Sequence, residues 1–579
     1  MNNIYLGKLP SNYNENKDIF LSTASIARSE DKVVDLKNSL KYEVFEDIDA
    51  RLEARDLMSL AVKEFFLPSL SLNLNHHHGT QYSNEFWGIL IKPWLLVSVH
   101  LCWYKYNQLK HLSNDYRDKK INVLLLESKN FKFQNITEFY VYGVDQIAFH
   151  HWVYSKIIKI FDVNWNFSYE THKLPENSTN KNIEYLRNAS SLTNIRSIKN
   201  FIRNSILPKG RCVSIHDSKY WGYIFSLLFR FKKAKVKDIS SSFINVDSNL
   251  EDIKKIPPEF IETTIEILSE IMPNLYRDKD FILQGANHES YKKGKIRHVG
   301  YSLWHNEKEK IKAAFAKENG EILITSQHGG VFGTAKIPNI IPDIDYSADY
   351  FITWGFSHHN NYQLNSIKLP SPYLSRLKKK YKKKNDDLLL VSSGCDLFQQ
   401  RFDTSPVGTQ VFKNREEKVN FILTLLGNPL TNLVYCPYIG VEHKSLEDSV
   451  YFKNKFPSLR LNKQLVEKKL LKCKLVVIDH PQTLILAALA ANIPTIAFWD
   501  PLIWAESDQS SVYFNKLREA GVLHIDAKSA ATKVNKEWDN IEEWWHGKKI
   551  QEARELFCSN YALTSERWWL DWMKVLWKL

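Results

Sequence analysis

Short runs of aliphatic and β-branched residues alternate along the chain with stretches whose apolar positions recur every three to four residues. The first set of runs is Ile19–Leu21, Asn122–Leu126, Cys212–Ile215, Ile322–Thr325 and Tyr350–Thr353. Such runs read as buried strands, and their alternation with helical patterns predicts an α/β fold with a mainly parallel sheet over roughly residues 1–370. The polar segment Leu364–Asp387, with Pro370, Pro372 and a lysine-rich run, interrupts the pattern. A second series follows, with strands at Leu388–Val391, Asn432–Tyr435, Lys474–Ile478 and Thr495–Trp499 and helices at Glu416–Leu426 and Gln464–Lys472. After about Asp526 the chain turns helical and rich in Trp, including Trp538, Trp544, Trp545, Trp568, Trp569, Trp572 and Trp577. These shifts divide the chain into 1–385, 386–530 and 531–579.

The most apolar stretch, Trp87–Tyr104, is broken by Lys92 and Pro93 and falls short of the about 20 residues of a clean membrane span. Met1–Pro10 lacks a charged segment followed by an apolar one, so no secretory signal is read. A soluble or peripheral cytoplasmic protein is expected. His76, His77 and His78 are consecutive, so a regular element cannot aim all three at one metal; they read as a polar loop.

Composition narrows the picture. The 579 residues exceed one compact core, and 44% hydrophobic with 25% charged residues is the balance of a chain that folds throughout. Its 17 Trp, 27 Tyr and 31 Phe are mostly core material, yet they also suit stacking on sugar faces. The net charge of +13 favours a polyanionic partner. The basic run Arg376–Lys384 reads either as a solvated linker or as a surface for anionic lipid headgroups. No basic face is interleaved with stacking aromatics as in nucleic-acid binders. Six cysteines stand without metal-ligand spacing and read as free thiols in a reducing compartment. Asp343 and Asp345 have D-x-D spacing but are not read as metal ligands.

Three segments carry candidate chemistry. In Leu475–Pro501, a buried strand ends before Asp479, His480 and Pro481, and Thr483 is placed to cap a helix over Leu484–Ala491, with Asn492 suited to the left-handed position after it. A helix N-terminus at the carboxyl end of a parallel strand is a natural phosphate site, to which the Thr483 hydroxyl and His480 would add donors. In Ser326–Thr334, Gly329, Gly330 and Gly333 allow close backbone approach beside Gln327 and His328; this is neither a Walker A loop nor a dinucleotide fingerprint. In Arg211–Tyr223 a strand ends at His216 and Asp217, and Asp217 reads equally as a general base or as a helix cap. Arg401 and Asp403 open the second domain where a loop would border a cleft.

Several segments together resemble a family of bacterial surface-carbohydrate transferases: Asn73–Leu95 (NLNHHHGTQYSNEFWGILIKPWL), Gln327–Gly333 (QHGGVFG), Asp349–Phe356 (DYFITWGF), the unit Asp479–Pro494 and Glu542–Arg554 (EEWWHGKKIQEAR). At greater distance these resemble GT-B glycosyltransferases that use CMP-activated ulosonic acids such as Kdo, sialic or pseudaminic acid. The resemblance implies two Rossmann-like domains facing a cleft, with C-terminal helices packing back on the first. By it, residues 1–385 would bind the acceptor and 386–530 the nucleotide sugar. Gln327, Gly329, Gly330, Arg401, Asp479, His480, Pro481 and Thr483 would bind the donor, and Asp217 or His328 would activate the acceptor hydroxyl. No cofactor or metal is implied beyond the CMP-sugar substrate. The partners implied are a nucleotide sugar and a glycan or glycolipid acceptor, with peripheral contact at the inner membrane and no nucleic acid. Ala487 and Ala488 depart from the family pattern, which carries a Glu early in that helix. A UDP-sugar or CDP-glycerol-type transferase is the nearest alternative, and a nonenzymatic basic protein binding membrane or nucleic acid is the alternative from another class.

Overall fold

The structure is a computed structural model that describes residues 2–10, 13–14, 17–21, 42–128, 131–171, 224, 250–287, 291, 293–300, 303–439 and 445–579. The expected strand Cys212–Ile215 and the candidate base Asp217 lie outside the described residues.

Among the described residues, strands form three sheets, and every ladder is parallel. The first, in order β2-β1-β3-β4, contains β1 (Asn2–Tyr5), β2 (Ile19–Phe20), β3 (Ile121–Glu127) and β4 (Asn166–Thr171). The second runs β5 (Ile296–Gly300), β6 (Ile322–Ser326), β7 (Tyr350–Thr353) and β8 (Ser366–Lys368) in chain order. The third has six strands: β9 (Leu388–Val391), β10 (Leu433–Cys436), β11 (Arg460–Leu461), β12 (Leu475–Ile478), β13 (Thr495–Phe498) and β14 (Leu523–His524). Its order is β11-β10-β9-β12-β13-β14. All four residues of β9, β10, β12 and β13 are buried, as expected of parallel strands covered on both faces. Mixed α/β architecture with parallel sheets is thus the observed fold class. The stretch before residue 370 holds two such sheets where the sequence suggests one.

A 33-residue helix, Asn84–Tyr116, runs through the region read as an interrupted apolar stretch. Ser83 caps it by accepting from the Phe86 N–H at 3.1 Å, and Pro93 is accommodated inside it. Lys92 reaches across to the Asp343 carbonyl oxygen at 3.4 Å, and the helix runs on through both residues. By length and composition the helix could cross a membrane, but 89% of its most apolar window is buried inside the protein, the position of a core helix. His76–His78 also differ from expectation: they form the last turn of the helix Leu67–His78, ended by Gly79 at φ 69°. His77 and His78 bond the carbonyls of Arg277 and Tyr276.

The C-terminal helix Trp568–Lys578 covers the second sheet. Trp568, Trp572 and Leu576 pack with Ile296, Ile322, Ile324, Ile352 and Leu369, and Trp572 Nε1 donates to the Pro370 carbonyl at 2.9 Å.

Candidate functional site

In the third sheet the strand order reverses between β9 and β12, and open parallel sheets bind ligands in the crevice at the carboxyl ends of such a pair. Asp479 directly follows β12 at this end of the sheet. One carboxylate oxygen accepts from Ser392 Oγ at 2.7 Å, and the other accepts from the Ser393 N–H at 3.0 Å and contacts His480 Nδ1 at 2.6 Å. The side chain is wholly buried, so Asp479 supports the loop after β9 and orients His480. Burial opposes its ionisation; Lys418, 3.7 Å away, and the bonds from His480 and Ser392 overcome this and hold the carboxyl below its ordinary range. Lys418 is itself paired with Asp448 at 2.7 Å, and Asp448 with Arg415 at 2.7 Å.

The two loops that the sequence offers as separate candidates meet. Thr483 Oγ1 accepts the Gly330 N–H at 3.0 Å across 153 positions of sequence. A Cβ on Gly330 would lie 2.2 Å from the Gln482 carbonyl carbon and the Thr483 nitrogen, so only glycine admits this approach. Gly330 is not at positive φ, and its requirement is therefore close contact and not backbone freedom. The cap is Gln482, without a side-chain bond, and Thr483 is the first residue of the helix Thr483–Ala490. The Thr483 hydroxyl is aimed at the facing loop instead of its own helix. Asn492 takes the left-handed position at φ 55°, as expected.

A cavity of about 450 Å³ lies beside this junction. Ser326, Gln327 and His328 line it from the second sheet and Thr483 from the third. Trp354, Tyr373, Arg376, Lys380, Glu467 and Trp572 supply most of the rest. Gln327 lines the cavity, but its amide is engaged by backbone: Oε1 accepts from the Trp354 N–H at 2.7 Å and Nε2 donates to the Gly329 carbonyl at 2.9 Å. It braces the loop. His328 is half-buried, edge-on to Phe332 at 4.7 Å and to Trp304 at 6.1 Å. His480 sits beside Trp504, with ring centroids 6.2 Å apart, and Pro481 is buried in the bend before the helix. Arg401 lies elsewhere: it pairs with Asp403 at 3.3 Å and does not line this cavity.

These loops all fall inside one family match, a model described as LIC12162 family transferase that covers residues 3–576. The chain belongs to the LIC12162 transferase family. No curated protein matches it.

For this LIC12162 family member, several residues that shape the site carry no sequence signal strong enough to find them. Lys418 sits in an ordinary charged helix, Gln410–Thr424, and only its burial shows that it neutralises Asp448 and Asp479. Arg376 and Lys380 belong to the basic run, whose composition hides that two members turn to a cavity. Ser392 and Ser393 had a readable cue, a small polar pair directly after the LLLV strand. Asp343 bonds Arg55, and Asp345 accepts from Trp304 Nε1 at 2.8 Å, so each carboxylate of the D-x-D pair has a protein partner. Among the described residues, no group of three His, Cys, Asp or Glu is placed to hold a metal. The thiols of Cys102, Cys395, Cys436, Cys473 and Cys558 are free.

Proposed function

We propose that this transferase is a glycosyltransferase that moves an acidic sugar, a nonulosonic acid such as pseudaminic acid or Kdo, from a CMP-sugar to a surface-glycan acceptor. The sheets β5–β8 and β9–β14 would be the two halves of a GT-B enzyme. The observation that supports this most is the junction of Gly330 with Thr483, which joins the carboxyl-end loops of two parallel sheets beside one cavity. Because Thr483 Oγ1 accepts from Gly330, its own proton remains available to a phosphoryl oxygen, next to the backbone N–H groups of the helix start. Donors fixed where the leaving phosphate gathers charge are the strongest catalytic device such a site can hold. Arg376 and Lys380 on the same cavity suit the carboxylate of an acidic sugar. His328 would orient or deprotonate the acceptor hydroxyl.

The departure at Ala487 and Ala488 is consistent with donor binding further along the crevice. Both are fully buried and carry no polar group, so a ribose contact would have to come from another element.

Thermal unfolding with CMP, CDP, UDP and GDP tests this reading. A nucleotide at about 100 times its Kd stabilises the native state by about 2.7 kcal/mol. Stabilisation by CMP that persists in Thr483→Ser and falls in Thr483→Ala is the expected result. A preference for UDP or CDP would replace the donor, and no response to any nucleotide would remove the glycosyltransferase reading.

A further inference from the structure

The lysine-rich run does not stand alone in space. The Lys382 N–H donates to the Leu471 carbonyl at 3.2 Å, and the N–H groups of Lys384 and Asn385 donate to the Lys472 carbonyl at 2.9 and 3.2 Å. Tyr381 OH donates to the Cys473 carbonyl at 3.2 Å. These bonds lay residues 376–387 beside residues 463–474, and the two segments together hold twelve Lys and Arg against three acidic residues. Lys378, Lys379, Lys380, Lys382, Lys383 and Lys384 are exposed, as are Lys463, Lys468 and Lys472. The three acidic residues neutralise only a part of this charge. Asp387 pairs with Arg460 at 3.0 Å and with Lys469 at 4.0 Å, Asp386 contacts Lys383 at 3.4 Å, and Glu467 accepts from Tyr373 at 2.6 Å.

Two further observations indicate what this charge faces. Leu465, 78% exposed, stands between Lys463 and Lys468, where an apolar side chain among lysines suits the boundary between headgroups and acyl chains. The same surface reaches the cavity, since Arg376, Lys380 and Glu467 belong to both. The one aromatic within the two segments, Tyr381, is half-buried and bonded by its hydroxyl, so it offers no stacking platform for bases.

We infer that this face docks the protein on an anionic lipid bilayer, with the mouth of the cavity beside the membrane surface. The inference is independent of the nucleotide reading, because docking needs no donor. It also gives the cavity a position from which a membrane-bound acceptor is within reach.

Co-sedimentation with phosphatidylglycerol and with phosphatidylcholine vesicles tests it. The wild-type chain pellets with the anionic vesicles at low salt, stays in solution with the zwitterionic ones, and is released at high salt. Each lysine near such a surface changes partitioning about fivefold, so Lys379→Ala, Lys383→Ala, Lys468→Ala and Lys472→Ala combined weaken it about several hundredfold. All four side chains are exposed and lie outside the cavity lining, so the variant keeps the wild-type melting temperature. Equal binding to both lipids, binding to neither, or undiminished binding by the folded variant would overturn the inference. So would tighter binding to duplex DNA than to the anionic vesicles at the same salt, which would assign the face to nucleic acid. A vesicle result in either direction leaves the thermal response to CMP unchanged, so the two ideas fail separately.

Discussion

Replacing Gly330 by alanine places a methyl carbon 2.2 Å from two backbone atoms of the Gln482–Thr483 peptide. Ordinary carbon contacts begin near 3.4 Å, so the two loops must part by about 1.2 Å. The obstacle is backbone at the start of a packed helix, and a side chain cannot swing aside to relieve it. The Gly330–Thr483 hydrogen bond, now 3.0 Å, then exceeds bonding distance. Its loss costs about 1 kcal/mol, and forcing a methyl into a filled site costs about 1–3 kcal/mol more. Gly330→Ala should therefore lower unfolding free energy by about 2–4 kcal/mol in urea and abolish stabilisation by nucleotide. The neighbouring substitution is the control. A Cβ on Gly329 meets only Thr483 Oγ1, at 3.2 Å, a contact that a loop shift of about 0.2 Å relieves with the Gly330 bond kept, so Gly329→Ala should cost under about 1 kcal/mol. Equal stability of Gly330→Ala and wild type, or a larger effect at Gly329, would refute the reasoning that the two sheets are joined through this contact.

Two other substitutions probe the buried charges. Lys418→Met leaves Asp448 and Asp479 without their shared ammonium and should destabilise the chain by about 3–5 kcal/mol, read by chemical unfolding at neutral pH; a change under 1 kcal/mol would show that Asp479 does not depend on it. Burial raises the Asp345 carboxyl to about 8, against a weaker opposing bond from Trp304. The folded chain therefore keeps a proton that the unfolded chain releases near pH 4, and this group's contribution to stability falls by about 1.4 kcal/mol per pH unit between those values. Asp345→Asn removes that slope, so the variant should gain on the wild type as pH rises from 5 to 8; parallel stability curves would count against a protonated Asp345.

The strands were the most legible part of this fold, because a run such as LLLV or YFIT is too short and too uniformly apolar for a surface helix. Tyr350–Thr353 and Leu388–Val391 have the bounds that their composition suggests. The helix Asn84–Tyr116 was hidden by Lys92 and Pro93, and the partner of Lys92, the Asp343 carbonyl, is met only in the folded chain. The site shows the same division. Glycines after β6 and a threonine after β12 announce two places where backbone comes close to something, and local pattern stops there. That they come close to each other is a fact about residues 153 positions apart. Gln327 and Arg401 show what local pattern leaves open: the first is tied to its own loop while it lines the cavity, and the second pairs with Asp403 away from that cavity.

The placement of the Trp568–Lys578 helix sets an order of events during synthesis. The strands it covers end at Lys368, about 200 residues before the helix begins. At about 5–20 residues per second, the ribosome needs about 10–40 s to deliver that cover. Throughout that interval Ile296, Ile322, Ile324 and Ile352 have no permanent lid, so the nascent chain presents a sticky sheet face while its later half is still being made. Slowing translation between those points prolongs the exposure, and a chaperone that holds the chain there would matter more for yield than one acting after release.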